Sequence, residues 1–262
     1  MGRSSAVIAR AVRRPGAGRR QVQAPELPDI SGDENVSLAR RAYDAISEGL
    51  MAGAISPGSP LTSRSLSAAL GVSVTPVREA LKQLEADGAL TSRSKSAFFV
   101  NDPSRIEYEQ ITELRLSTEG LAIRKAAAVA TPADIAVIRR AKQEYEDVQR
   151  APDRAIALAL PPNFRFHFAI YRLSGSPILL KVIETTWLRI GPALHRYMRN
   201  VDEIEPGLRI HDEMVRALER NDPDAAEEAL RRDLLDAAEL IYPELRERSG
   251  EDGAGASWAG HF

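Results

Sequence analysis

From Val36 onward the chain sets Leu38, Ala42, Ile46 and Leu50 at steps of four, the spacing of one apolar face on an amphipathic helix. Leu61, Leu66 and Leu70 follow with polar residues between them and predict a short second helix. Gly71 suits a positive φ at the corner after it, Thr75 offers an N-cap oxygen, and Pro76 fits a first helical position that needs no N–H. A third helix therefore starts there, with Arg78 in its first turn. Two β-prone runs, Ala89 to Ser92 and Ala97 to Val100, flank Arg93-Ser94-Lys95-Ser96 and predict a hairpin with a basic tip. Helix, turn, helix and hairpin in this order make a winged helix-turn-helix, whose second helix enters a DNA groove.

Beyond Asp102 the pattern changes to long helices without strand signals. Ile106 to Ala130 is helical in period, Thr131-Pro132 caps and starts a helix to about Arg150, and Pro161-Pro162 restarts the chain for a helix to Ser174. Gly175 and Pro177 mark the next break, and helices follow over Pro177 to Arg199, Pro206 to Arg220 and Asp224 to Arg246. The fold class is thus mainly α, an N-terminal winged helix-turn-helix plus a C-terminal all-α antiparallel bundle able to enclose a small-ligand pocket.

Composition sharpens the picture at a few points. The sequence has no cysteine, which excludes disulfides, thiolate catalysis and Cys-ligated metal. The longest apolar run, Gly120 to Ala130, is broken by Arg124 and Lys125, and the N-terminus lacks the apolar core of a signal peptide, so a cytoplasmic protein with no membrane partner is expected. Residues 1–101 carry 13 Lys and Arg against 9 Asp and Glu, the rest 22 against 28, so the positive excess lies with the DNA motif. The expected organisation is a disordered basic tail over 1–34, a reader over 35–102, an effector-binding and dimerisation domain over 103–247 and a flexible tail over 248–262. The tail's six arginines could add phosphate contacts or simply be solvated.

The reader resembles the GntR family of bacterial transcription regulators, on Pro57-Gly58, Leu61, Arg64, Leu66, the run Leu70 to Leu81, Leu84, Asp87-Gly88 and Phe98 to Val100. The second half is similar to the FCD ligand-binding domain of the FadR-like subgroup, on Glu113-Leu114-Arg115, Glu119, Phe166-His167, Ser174-Gly175, His211, Ala217 and Asp222. The resemblance implies a homodimer on two-fold operator DNA, a repressor released by a small organic acid, and no enzymatic activity. It puts DNA contacts on Arg64, Ser73, Val74, Thr75, Arg78 and Lys95. Val74 departs from the arginine usual there and can offer a thymine methyl only an apolar contact, and Ser96 replaces a usual glycine.

Chemistry in the bundle centres on Asn163, His167, His211 and Asp233. Asn163 and His167 are one helical turn apart, and His211 and Asp233 fall on successive helices. Two imidazoles with carboxylate and amide oxygens suit zinc, nickel or manganese and leave positions open for a ligand. In the resembling domains the set is one Asp and three His, so Asn163 and Asp233 are both departures. The alternatives are that these are hydrogen-bonded polar residues of a metal-free sensor, or the centre of a metal-dependent enzyme, for which no base or nucleophile motif is present. Arg115 is expected to clamp an effector carboxylate, or else to pair with Glu119 on an exposed face.

Overall fold

The computed structural model describes residues 27, 30, 35–94, 97–151, 156–194 and 205–245. Helix α1 (Leu38–Met51) buries Ala42, Ile46 and Leu50, the apolar face read from the sequence, and Ser37 caps it through Arg40 N. Leu27 and Ile30 come from the stretch read as a solvated tail, yet both pack beside α1, where Arg41 donates to the Ile30 carbonyl at 2.8 Å. The remainder of the expected basic tail lies outside the described residues, as does the expected tail over 248–262.

Strand β1 (Pro60–Leu61) precedes helices α2 (Ser63–Leu70) and α3 (Val74–Ala86), and β2 (Leu90–Ser94) and β3 (Ala97–Val100) complete a sheet of order β1-β3-β2. Leu61 is therefore a strand residue opposite Phe98 and not the first residue of the second helix. Its neighbour Thr62 accepts from Ser65 N and starts α2 only afterwards. Gly71 closes α2 at φ 66°, the left-handed conformation that glycine adopts without a Cβ clash. The cap of α3 also differs from expectation: Ser73 is the N-cap, so Thr75 and Pro76 are its second and third residues. Ser73 makes no side-chain capping bond, because the third position that would donate to it is a proline without an N–H.

The second half contains α4 (Arg105–Val129), α5 (Pro132–Gln149), α6 (Ile156–Arg172), α7 (Pro177–Ile190), α8 (Glu205–Glu219) and α9 (Pro223–Ile241). Capping boxes at Ser104/Glu107 and Thr131/Asp134 fix where α4 and α5 begin. Contrary to the restart expected at Pro161-Pro162, α6 begins at Ile156 and runs through both prolines. Leu160, Pro162 and Phe164 are all buried there, so packing around the prolines outweighs the two backbone bonds they omit. Short 3₁₀ turns follow α7 (Gly191–Ala193) and α9 (Tyr242–Glu244). Helix α4 is the spine, packing against α6, α7, α8 and α9.

Candidate functional site

Helix α3 has two unlike faces. Val77, Ala80, Leu81 and Leu84 are buried, while Ser73, Val74, Thr75 and Arg78 are exposed around its first turn, and Arg64 is exposed on α2. The predicted DNA residues of α3 thus stand in solvent at its start, where the first N–H groups of a helix point outward without intrahelical partners, and Arg64 stands in solvent at the start of α2. Lys95 and Ser96 lie outside the described residues. Strand β2 carries the hairpin as far as Ser94, with an irregular register between Ser92 and Ser94.

In the bundle, one buried carboxylate gathers four donors. Glu119 on α4 is 0% exposed and accepts from Arg115 Nε at 2.6 Å and Nη2 at 3.2 Å, from Trp187 Nε1 at 3.0 Å and from Tyr171 OH at 2.5 Å. Arg115, itself 4% exposed, stacks its guanidinium 4.9 Å from the centroid of Trp187. The pair with Glu119 exists, but in the core and not on the exposed face that the i, i+4 spacing suggested. Burial opposes the charge of Arg115, and the charge and hydrogen bonds of Glu119 outweigh it and hold the guanidinium above its ordinary pKa. Burial, then the Glu119 charge, pushes the Tyr171 hydroxyl well up, so it stays a donor.

Tyr171 links this hub to the predicted ligand cluster, its OH lying 3.3 Å from His167 Nδ1. His167 Nε2 is 3.5 Å from Asp233 Oδ2, and His211 Nε2 is 3.2 Å from Asp233 Oδ1. One ligand atom from each of the three residues lies within 4.8 Å of the others. Burial drives the His167 imidazole down to about 3, against the attraction of Asp233. Burial alone would raise the Asp233 carboxyl, yet the charge and hydrogen bond of His211, followed by His167 and Arg115, bring it below its usual value. The trio is thus two imidazoles around an ionised carboxylate. Asn163 sits one turn before His167 on α6 and is half-buried.

Ligands about 2.1 Å from a common ion stand roughly 3 to 3.4 Å apart at tetrahedral or right angles. The two His–Asp233 separations, 3.5 and 3.2 Å, lie near that range but on different carboxylate oxygens, and the 4.8 Å spread of one ligand atom per residue has to close for all three to hold one ion. The rings are walled by aromatic neighbours, Phe166 at 4.4 Å and Tyr145 at 5.2 Å from His211 by centroid, and Trp187 at 5.8 Å from His167. Among the described residues His211 Nδ1 is buried without a hydrogen-bond partner.

The bundle meets the reader along α7. Two residues after Trp187, Arg189 Nε reaches the Asp87 carbonyl at the end of α3 at 3.4 Å, and Asp87 Oδ2 accepts from Tyr43 OH of α1 at 2.6 Å. At the next step Gly191 lies against the C-terminus of α1, so close that a Cβ there would stand 2.5 Å from Leu50 O and 2.7 Å from Met51 O. Only glycine permits that approach.

Glu119 entered the sequence reading as one of the residues carrying the family resemblance and as a partner of Arg115, and Tyr171 and Trp187 were given no role in it. Tyr171 had a signal, since Asn163, His167 and Tyr171 are spaced by four on α6. Trp187 had none, because its approach to Glu119 spans 68 residues.

Comparison with known proteins follows this division of the chain. The model of the bacterial regulatory proteins of the gntR family matches residues 38–100, and the FCD domain model matches 110–236. The HTH-type transcriptional regulator McbR of Escherichia coli (strain K12) is 30% identical over 220 residues, covering 82% of this chain and 98% of McbR. A probable D-xylose utilization operon transcriptional repressor of Paenarthrobacter nicotinovorans is 27% identical over 194 residues, 74% of this chain and 84% of that protein. The solved structure of E. coli McbR/YncC aligns with TM-score 0.73 at 28% identity, over 80% of this chain and 99% of that one. A putative GntR regulator from Rhodococcus sp. RHA1 shares the fold, with TM-score 0.65 at 22% identity over 80% of this chain and 100% of that one.

Proposed function

Since the chain belongs to the GntR family of bacterial regulatory proteins and carries an FCD domain behind its DNA reader, we propose that this transcription regulator is a ligand-released repressor acting as a homodimer. The observation that carries the ligand-responsive part is the cluster of buried His167 and His211 with half-buried Asp233, joined through Tyr171 to Glu119.

On the DNA side, the exposed first turn of α3 enters the major groove of each half-site. Arg78 reads a base edge, Arg64 and the free N–H groups near Ser73 and Thr75 hold phosphates, and Val74 meets a thymine methyl. Lys95, between β2 and β3 in the sequence, adds a phosphate contact. Two readers per operator require a paired chain, and α4 supports pairing with exposed Leu114, Leu121 and Val129 at 54%, 50% and 60% exposure.

On the effector side, His167, His211 and Asp233, with Asn163 as an amide donor, hold zinc, nickel or manganese. Such an ion, when bound, supplies open positions to the carboxylate of a small organic acid. Arg115 has two nitrogens committed to Glu119, so its role is to hold that carboxylate and the Trp187 ring in place behind Tyr171 and His167. A direct grip on an effector would require it to turn away from Glu119.

Helix α7 is the route of coupling. Its Trp187 is held at the hub, its Arg189 touches the end of the recognition helix, and Gly191 seats against α1. An effector that favours one arrangement of α7 changes DNA affinity by the same factor by which DNA changes effector affinity.

Two measurements on untagged protein test this. Genomic DNA fragments selected by the pure protein should share a two-fold symmetric site, and elemental analysis should return about one ion per chain. Less than about a tenth of an equivalent, with DNA binding indifferent to chelator and to added zinc, nickel and manganese, would remove the metal from the proposal.

A further inference from the structure

The hydrogen bonds around Glu119 have a direction. Glu119 faces four donors, one of them a permanently charged guanidinium, so it is an acceptor only. Tyr171 has a single proton, and its 2.5 Å contact with Glu119 uses it. The Tyr171 oxygen can then only accept from His167, 3.3 Å away, which puts the imidazole proton on Nδ1. His167 Nε2 is left with a bare lone pair, 3.5 Å from an oxygen of Asp233. Two acceptors facing each other in a buried site repel unless a cation stands between them.

We propose that Glu119 is a positioning residue for His167: acting through Tyr171, it fixes the Nδ1–H tautomer and turns the Nε2 lone pair toward Asp233 and His211, so that the cluster is set for a cation before one arrives. The direction of this relay rests on geometry alone, and its use for a metal rests on the reading under Proposed function. Second-layer partners of this kind change metal affinity by about 10 to 100-fold when removed. Arg115 and Trp187 complete the relay from the other side, because their hydrogen bonds hold the Glu119 carboxylate in place beside Tyr171.

The test uses Tyr171→Phe in the full-length protein, which removes the one hydroxyl and keeps the ring in the core. Two readouts are taken: the tautomer of His167 by long-range ¹H–¹⁵N correlation in the metal-free protein, and the affinity for Zn²⁺ and Ni²⁺ alone by calorimetry. Wild type should show protonated Nδ1 and bare Nε2. The variant should move its proton to Nε2, where Asp233 can accept it, and bind the ions about 10 to 100-fold more weakly. Glu119→Gln, checked for folding by circular dichroism, should act in the same direction. A wild-type His167 protonated on Nε2, or a tautomer unmoved by Tyr171→Phe, overturns the relay whatever the metal result. A tautomer that shifts while wild type binds neither ion upholds the relay and refutes the metal reading. Equal ion affinity in wild type and variant with a shifted tautomer refutes its use for metal.

Discussion

Removing the Glu119 side chain is the most damaging single change expected in the bundle. Arg115 is 4% exposed and its guanidinium cannot give up its proton, so Glu119→Ala leaves an uncompensated charge in the core. Breaking a buried pair from one side costs about 3 to 5 kcal/mol. Trp187 Nε1 and Tyr171 OH lose their acceptor at the same time, each at roughly 1 to 3 kcal/mol, though these losses overlap and do not simply add. Against a total stability of roughly 5 to 15 kcal/mol, the variant should sit near the edge of folding at room temperature. The reasoning predicts an order and not only a size. Arg115→Met with Glu119→Leu removes both charges and should recover much of the loss, with the orphaned indole and phenol holding it below wild type. Urea denaturation of wild type, Arg115→Met, Glu119→Leu and the double gives the full cycle, with Glu119→Ala measured beside it. A Glu119→Ala protein within about 0.5 kcal/mol of wild type, or a double variant weaker than either single, would refute the hub as described.

Further predictions concern reading, coupling and pH. Arg78→Ala should leave the denaturation midpoint unchanged, since the side chain is exposed, and weaken operator binding by about 1 to 3 kcal/mol with relaxed preference at one base pair, measured by competition against point-substituted sites. Arg189→Ala should keep both operator affinity and ion content while reducing the change in operator affinity that effector produces, seen by titrating DNA with and without effector. In chelator-treated protein, stability should fall as pH drops from 6.5. The native His167 imidazole is held down to about 3, mainly by burial, so between those values the unfolded chain binds a proton that the native one refuses, and stability is present above 6.5 and lost on descending toward 3. His167→Gln should flatten that slope in denaturation series at several pH values.

The reader was legible because its signals are local. Steps of four gave the face of α1, Gly71 gave the corner, and β-prone runs gave β2 and β3. Where local signals compete, neighbours in space decided. Leu61 joined a strand because Phe98 lies opposite, α6 ran through two prolines because Leu160 and Phe164 are buried on either side of them, and Leu27 and Ile30 left the presumed tail for the side of α1.

By itself, the sequence determined the order of elements, the solvent-facing residues of the recognition helix and four candidate polar groups, Asn163, His167, His211 and Asp233, of which the structure brings the last three together. Those follow from helical period and residue type, which are properties of short stretches. Only the tertiary structure decided that Asp233 lies between both imidazoles, that Arg115 and Glu119 pair in the core, and that Tyr171 and Trp187 converge on the same carboxylate. These contacts join residues from 4 to 68 positions apart, and burial gives them their meaning: the same i, i+4 Arg–Glu spacing is a minor surface pair in water and a fixed anchor once both groups are cut off from solvent.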